Sequence, residues 1–249
     1  MIDTHSHIDM LKNPDSSIKK SIEAGVDKIV VPSSSPDNFD SVIKLCDKYD
    51  EIFGAIGVHP EDASKFDEKT ADLIYKLAKS NKKIVAIGEI GLDYYWDKTL
   101  KEKQKEILRT QIEIALNLNL PVLIHDREAH EDTYDILTET GIKKVILHCF
   151  SGSVEFAKKC INRGWLIGIG GIVTFKNARK IKEVVKNIPL ESIVLETDAP
   201  YLTPHPFRGE ENSPEFLQFI AREIANLKDT AFEHIDKVTA QTAKDFFKI

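Results

Sequence analysis

The sequence predicts a single-domain parallel (β/α)8 barrel, and three observations predict it. Eight short β-rich apolar runs recur along the 249 residues, helical patterns fill the gaps, and metal-compatible side chains recur where the runs end. Runs nearly continuous in Val, Ile and Leu read as strands covered on both faces, which is the signature of parallel sheet. Strict alternation puts the helices outside, and eight units favour closure over an open doubly wound sheet. The length suits one such domain over residues 1–249, with no visible linker, low-complexity stretch or internal repeat.

The predicted strands cover residues 1–7, 28–31, 52–58, 84–89, 121–125, 144–148, 165–169 and 192–196. A helix over 16–24 ends at Gly25, as a C-terminal glycine should end one. The next, 37–49, carries Phe39, Val42, Ile43, Leu45 and Cys46 at helical spacing, and Asp67 opens a third with Leu73, Ile74 and Leu77 inward. The longest covers 99–117, and 153–162 is closed by Gly164. Ser213 followed by Pro214 reads as an N-cap with proline at the first helical position, opening 214–227; a last helix covers 230–247.

Composition narrows the function. The net charge of −6 has the wrong sign for a protein that coats nucleic acid with a basic surface, although bound metals can supply local positive charge. Three scattered cysteines argue against a disulfide framework, and no basic-then-apolar leader or long apolar run is present, so a cytoplasmic protein without membrane contact is expected.

Position gives the chemistry. His5 and His7 end the first predicted strand, His59 follows the third, Glu89 ends the fourth, His125 the fifth and His148 the sixth, and Asp198 follows the eighth. In a parallel barrel these ends share one face, where active sites lie. His5 and His7 are two apart on a predicted strand, so both would point the same way and chelate one ion. Imidazole with carboxylate suits transition metals better than calcium. Taken singly, each residue also has a structural reading. Asp3, out of phase with the histidines, reads as a backbone hydrogen-bonder, and His59 reads equally as a packing residue before Pro60. His130 and His234 fall on helices. Asp93 is placed to orient a neighbouring ligand. Tyr94, Tyr95 and Trp96, in the loop after the fourth strand, offer surfaces on which a base could stack.

Seven fragments in order then carry a resemblance. They are Asp-Thr-His-Ser-His-Ile-Asp at 3–9, Gly-Val-His-Pro at 57–60, Gly-Glu-Ile-Gly-Leu-Asp-Tyr at 88–94 and Leu-Pro-Val-Leu-Ile-His-Asp-Arg at 120–127, then His-Cys-Phe-Ser-Gly at 148–152, Glu-Thr-Asp-Ala-Pro-Tyr-Leu at 196–202 and Arg-Gly-Glu-Glu-Asn at 208–212. Together they resemble the TatD family of metal-dependent deoxyribonucleases, within the amidohydrolase-like barrels. The resemblance implies one divalent ion on His5, His7, Glu89 and Asp198 and a second on Glu89, His125 and His148, the ions being magnesium, manganese or zinc. It implies hydrolysis of DNA phosphodiesters by a metal-activated water, as a 3′–5′ exonuclease on single-stranded or frayed ends, with no obligate protein partner. Asp198, Glu89 and His59 are then the catalytic candidates, and His59, Arg127 and Arg208 the substrate contacts. One departure is Gly170-Gly171, where many members have Ser-Gly. The alternative reading is an amidohydrolase-type enzyme acting on an amide or ester carbonyl. Against it, Glu89 stands where many such enzymes place a carboxylated lysine. A non-catalytic relative would have lost a ligand, and none is lost.

Overall fold

The computed structural model describes residues 1–96 and 99–249. Its strands are β1 (Ile2–Asp3), β2 (Lys28–Pro32), β3 (Ile52–Ala55), β4 (Ile84–Asp93), β5 (Val122–Arg127), β6 (Val145–Leu147), β7 (Leu166–Ile169) and β8 (Ile193–Leu195). The helices between and after them are α1 (Pro14–Glu23), α2 (Phe39–Lys48), α3 (Glu68–Ser80), α4 (Lys101–Leu118), α5 (His130–Glu139), α6 (Val154–Ile161), α7 (Arg179–Asn187), α8 (Leu217–Lys228) and α9 (Phe232–Phe247). The sheet runs in chain order from β1 to β8, the order of the predicted (β/α)8 barrel. Packing groups residues 1–31 with 149–249 as a first unit and residues 32–148 as a second.

In the second unit β3 pairs with β4, β4 with β5 and β5 with β6, all parallel. Every residue of β4 is buried, as a strand covered on both faces requires. Its register against β5 slips between Ile87 and Ile90, a bulge that re-aims the side chains of the segment carrying Glu89. There β4 presses close to its neighbour: a Cβ on Gly91 would sit 1.9 Å from the carbonyl oxygen of His125, so only glycine fits. Helix α3 starts as predicted, the Asp67 side chain accepting the Thr70 N–H at 2.8 Å.

Helix α4 carries two buried glutamines on its apolar stripe, and each clasps a strand end. Gln111 accepts the Val58 N–H at 2.8 Å and donates to the Val58 carbonyl at 3.1 Å. Gln104 does the same for Asp93, both bonds at 3.0 Å. Each amide satisfies the backbone donor and acceptor of one residue, Val58 beyond the end of β3 and Asp93 at the end of β4. Gln111→Ala leaves two buried backbone groups unpaired, a cost of about 2–4 kcal/mol. Thermal melting is expected to show a fall of roughly 2–4 °C for each kcal/mol lost.

In the first unit β7 pairs with β8 and β1 with β2, and the Thr4 N–H donates to the Leu195 carbonyl at 2.9 Å, tying β8 to β1. Helix α6 is capped by Ser153, whose hydroxyl accepts the Phe156 N–H at 3.2 Å. Helix α7 buries Ile181, Val184 and Val185 at helical spacing and leaves its lysines outside. Two expectations change here. Ser213 stands at the predicted boundary but caps nothing with its side chain, because its hydroxyl bonds Ser17 at 2.5 Å instead; a 3-10 turn, Pro214–Phe216, precedes α8. β1 is also far shorter than 1–7, and His5 and His7 lie beyond it.

Candidate metal centre

The second unit gathers four of the predicted residues around one carboxylate oxygen. Glu89 Oε1 lies 3.0 Å from His125 Nδ1, 3.1 Å from His148 Nε2 and 3.7 Å from His59 Nε2. His59 follows β3 and His148 follows β6, His125 lies within β5, and Glu89 sits inside β4 at its bulge. The Glu89 N–H is held by the Ser33 carbonyl and the His148 N–H by the Ile124 carbonyl, both at 2.9 Å. Donor atoms about 2.0–2.1 Å from one tetrahedral ion stand roughly 3.3 Å apart, so the Glu89–His125 and Glu89–His148 separations each suit a ligand edge, and His59, Glu89 and His125 offer donor atoms that all lie within 4.8 Å of one another. Asp93 supports this set from behind: its Oδ2 lies 3.0 Å from His125 Nε2. That is the carboxylate–histidine–metal arrangement, which fixes the tautomer and leaves Nδ1 to face the ion.

His59 has a different chemistry from its neighbours. Its Nδ1 accepts the Glu61 N–H at 3.2 Å, so in the neutral ring Nε2 carries the hydrogen. It therefore offers a donor, suited to an anion rather than a cation, while also capping the turn Pro60–Lys65. The packing reading of His59 is met by that cap.

Burial works to strip His125 of its proton, but the hydrogen bonds to Asp93 and Glu89 outweigh it and hold the imidazolium up to about 9. Burial pushes Asp93 upward too, yet its bonds to His125 and to the Tyr95 N–H carry it below the usual carboxylate range. A raised histidine pKa stabilises the metal-free fold fully below the ordinary 6.5, and that contribution is lost as pH rises through about 9. A cation must displace the same proton, so metal affinity is expected to fall roughly tenfold for each pH unit below that value. Calorimetric titration in two buffers of different ionisation heat, near pH 8, should show proton release on binding; none would mean that His125 takes no part.

The first unit holds the remaining candidate donors. His5 Nε2 and His7 Nε2 lie 3.3 Å apart, and Asp198 Oδ1 is 3.9 and 3.8 Å from them. All three are donors of the type that binds transition metals, and the spacing again fits one ion. The histidines converge from a loop rather than from the predicted strand. Bonds to its neighbours fix that loop: the Ser6 N–H donates to the Val30 carbonyl at 3.1 Å and the His7 N–H to the Ala199 carbonyl at 2.8 Å. Asp198 takes a left-handed backbone, φ 56°, which Asp tolerates better than most residues. Its N–H is held by the His5 carbonyl at 2.9 Å.

Asp3 fills the backbone role expected of it. It accepts the His5 N–H at 3.3 Å and the Thr197 N–H at 3.0 Å, and the Thr197 hydroxyl besides, at 2.5 Å. Burial pushes its carboxyl up to about 8 against the pull of those bonds. Asn212, which sequence reasoning left without a role, staples the Asp198 loop by donating to the Thr197 carbonyl at 2.8 Å and to that of Tyr201 at 2.5 Å. Its signal was the family-resembling fragment at 208–212 in which it stands. Asn212→Ala is expected to cost about 1–3 kcal/mol of stability and to slow turnover; an unchanged melting curve and rate would remove this role.

The two arginines are both stacked on rings. Arg127 lies 3.8 Å over Tyr95, and Arg208 lies 3.9 Å over Phe175, with His205 edge-on to that ring at 6.2 Å. Stacking leaves their N–H groups directed outward in the plane of the guanidinium. His130, at the start of α5, is engaged with Asp126 of β5, 2.7 Å away. At Gly170 a side chain would meet Glu196 at an ordinary 3.6 Å, so that glycine is not forced, whereas one on Gly171 would strike the Leu202 carbonyl oxygen at 2.0 Å. No helix among the described residues is long and apolar enough to cross a membrane.

The family model for TatD related DNases matches residues 2–248. The chain is 44% identical to the uncharacterized metal-dependent hydrolase YabD of Bacillus subtilis, over 100% of this chain and 99% of that protein. The crystal structure of YjjV, a TatD homologue from Escherichia coli, superposes with a TM-score of 0.96 at 31% identity, covering 100% of this chain and 98% of that one. A TatD family hydrolase from Entamoeba histolytica superposes at 0.86 with 25% identity, over 99% and 97% of the two chains. With donor sets suited to divalent ions at its strand ends and matches of this extent, the chain belongs to the TatD family of metal-dependent hydrolases.

Proposed function

We propose that this protein is a deoxyribonuclease that hydrolyses phosphodiester bonds of single-stranded or frayed DNA, from the 3′ end, in the cytoplasm. The observation that carries the reading is that His125 and His148 each bring a ring nitrogen within 3.1 Å of the Glu89 carboxylate, with the Nε2–H of His59 3.7 Å from the same oxygen. In this reading His5, His7 and Asp198 hold one divalent ion, and Glu89, His125 and His148 hold another, as magnesium, manganese or zinc. Such ions lower the pKa of a water and neutralise the non-bridging oxygens of a phosphate.

The chain's own residues supply the rest. Asp198 would orient the attacking water and receive its proton as the new P–O bond forms and the scissile P–O bond breaks, the leaving oxygen taking a proton from solvent. His59 donates from Nε2 to a phosphate oxygen, a charge-assisted bond that strengthens as negative charge builds there. Arg127 and Arg208 present N–H edges to neighbouring phosphates. Asp93 keeps His125 in the tautomer that binds metal. No protein partner is required by this scheme.

End-labelled single-stranded DNA incubated with each metal, with products mapped by length, tests the reading. Stepwise shortening from the 3′ end is the expected result. A panel of amide, lactone and ester substrates run beside it addresses the carbonyl alternative; turnover there with intact DNA would overturn the nuclease assignment.

A further inference from the structure

Beside the ligand cluster of the second unit lies a group of side chains that the scheme above leaves largely unused. Tyr95 and Trp96 are 47% and 65% exposed, a large apolar surface to leave in water. Yet their backbone is anchored: Asp93 Oδ1 accepts the Tyr95 N–H at 2.8 Å and the Trp96 N–H at 3.4 Å. The two rings meet edge to face at 4.7 Å. The Arg127 guanidinium covers the Tyr95 ring at 3.8 Å and lies 5.4 Å from that of Trp96. Its charge is felt by Glu61, whose carboxyl is pushed up by burial while Arg127 pulls it down. Trp96 also walls a cleft of about 200 Å³ with Pro60, Glu61, Asp93, Leu100 and Gln104, room for a single ring system and too little for a folded segment.

Resting on the phosphodiesterase reading, we propose that Tyr95, Trp96 and Arg127 form a stacking subsite for one nucleobase of the DNA strand, with Arg127 also binding a phosphate of that strand. Three features identify the occupant. The exposed indole offers a π face, which accepts any base without reading its edge. A guanidinium stacked on a ring keeps its in-plane donors for an anion, so the group recognised is flat and carries a neighbouring negative charge. Asp93 joins the subsite to the ligand cluster, one oxygen holding the aromatic loop and the other holding His125 Nε2 at 3.0 Å. A stacked base is thereby held at a fixed distance from the ligands, which positions the adjoining phosphodiester.

The two tryptophans make a direct assay possible, because Trp165 is only 2% exposed and Trp96 is open. Magnesium-loaded protein is titrated with a thymidine pentanucleotide and with the same backbone lacking bases, following tryptophan fluorescence. The pentanucleotide is expected to quench saturably and to bind roughly 5- to 150-fold more tightly than the abasic strand. Trp96→Phe should abolish the signal, and Tyr95→Ala should weaken only the base-bearing ligand; Tyr95→Leu, which keeps the bulk, serves if the alanine variant melts early. Equal affinity for the two strands, or equal loss of both in the Tyr95 variants, overturns the subsite. Base-dependent quenching without hydrolysis would keep the subsite and remove the nuclease reading. Hydrolysis without base dependence would do the reverse, and absence of both would remove both.

Discussion

Glu89→Gln is expected to abolish hydrolysis, with kcat/KM falling at least 1,000-fold, about 4 kcal/mol of transition-state stabilisation. The substitution keeps the shape of the side chain and removes its charge. In the folded protein the Glu89 carboxylate lies within 3.1 Å of two imidazole nitrogens. An amide there offers a weaker ligand and, through its NH2, a donor aimed at groups that must accept a cation. His125→Ala is expected to act in the same direction by emptying one corner of the cluster. The two variants differ usefully in metal content. If Glu89 serves both ions, as the family resemblance implies, Glu89→Gln loses both; if it serves only the cluster with His125 and His148, one remains. Wild-type rates in either variant would remove the two-metal scheme.

Asp198→Asn is the second large effect. A positioned general base is worth roughly 100- to 10,000-fold, and the loss should appear in kcat with little change in KM, because in the proposed scheme the residue acts on water and not on the substrate strand. Its backbone is pinned by the His5 carbonyl and the loop around it by Asn212, so asparagine, which also tolerates the left-handed conformation, should hold the same place. Metal analysis of the variant separates the two roles of Asp198. Retained metal with lost turnover identifies proton transfer; lost metal identifies ligation alone.

The strand order and the placing of donor side chains near strand ends were legible in the sequence because both follow from short-range rules. Buried parallel strands must be nearly continuous in Val, Ile and Leu, and a ligand at a strand end stands beside that signal. Helix α3 could be placed by Asp67 alone, since its N-cap bond is local. What the sequence hid depends on long-range geometry. The first strand was drawn through His7, but β1 stops at Asp3, and the two imidazoles meet through loop bonds to Val30 and Ala199. Glu89 was expected at a strand end; it lies inside β4, at a bulge that no local pattern announces. Gln104 and Gln111 carried a signal that was passed over: polar residues on the apolar stripe of a helix need a buried partner, and here the partners are the backbones of Asp93 and Val58. Ser213 misled for the opposite reason, its local cap pattern losing to a hydroxyl far away in the chain. His59 shows why residue type alone could not decide a role, since only the bond to the Glu61 N–H says which nitrogen is the donor.

Metal content by elemental analysis, after exhaustive dialysis against metal-free buffer and reloading, tests the central claim most directly when the wild-type protein is measured beside His5→Ala and His125→Ala. The two donor sets predict two divalent ions per chain in the wild type and the loss of a different one in each variant, with hydrolysis abolished by chelator and restored by metal. A wild-type protein that retains no metal after reloading, or that works at full rate in chelator, would contradict it.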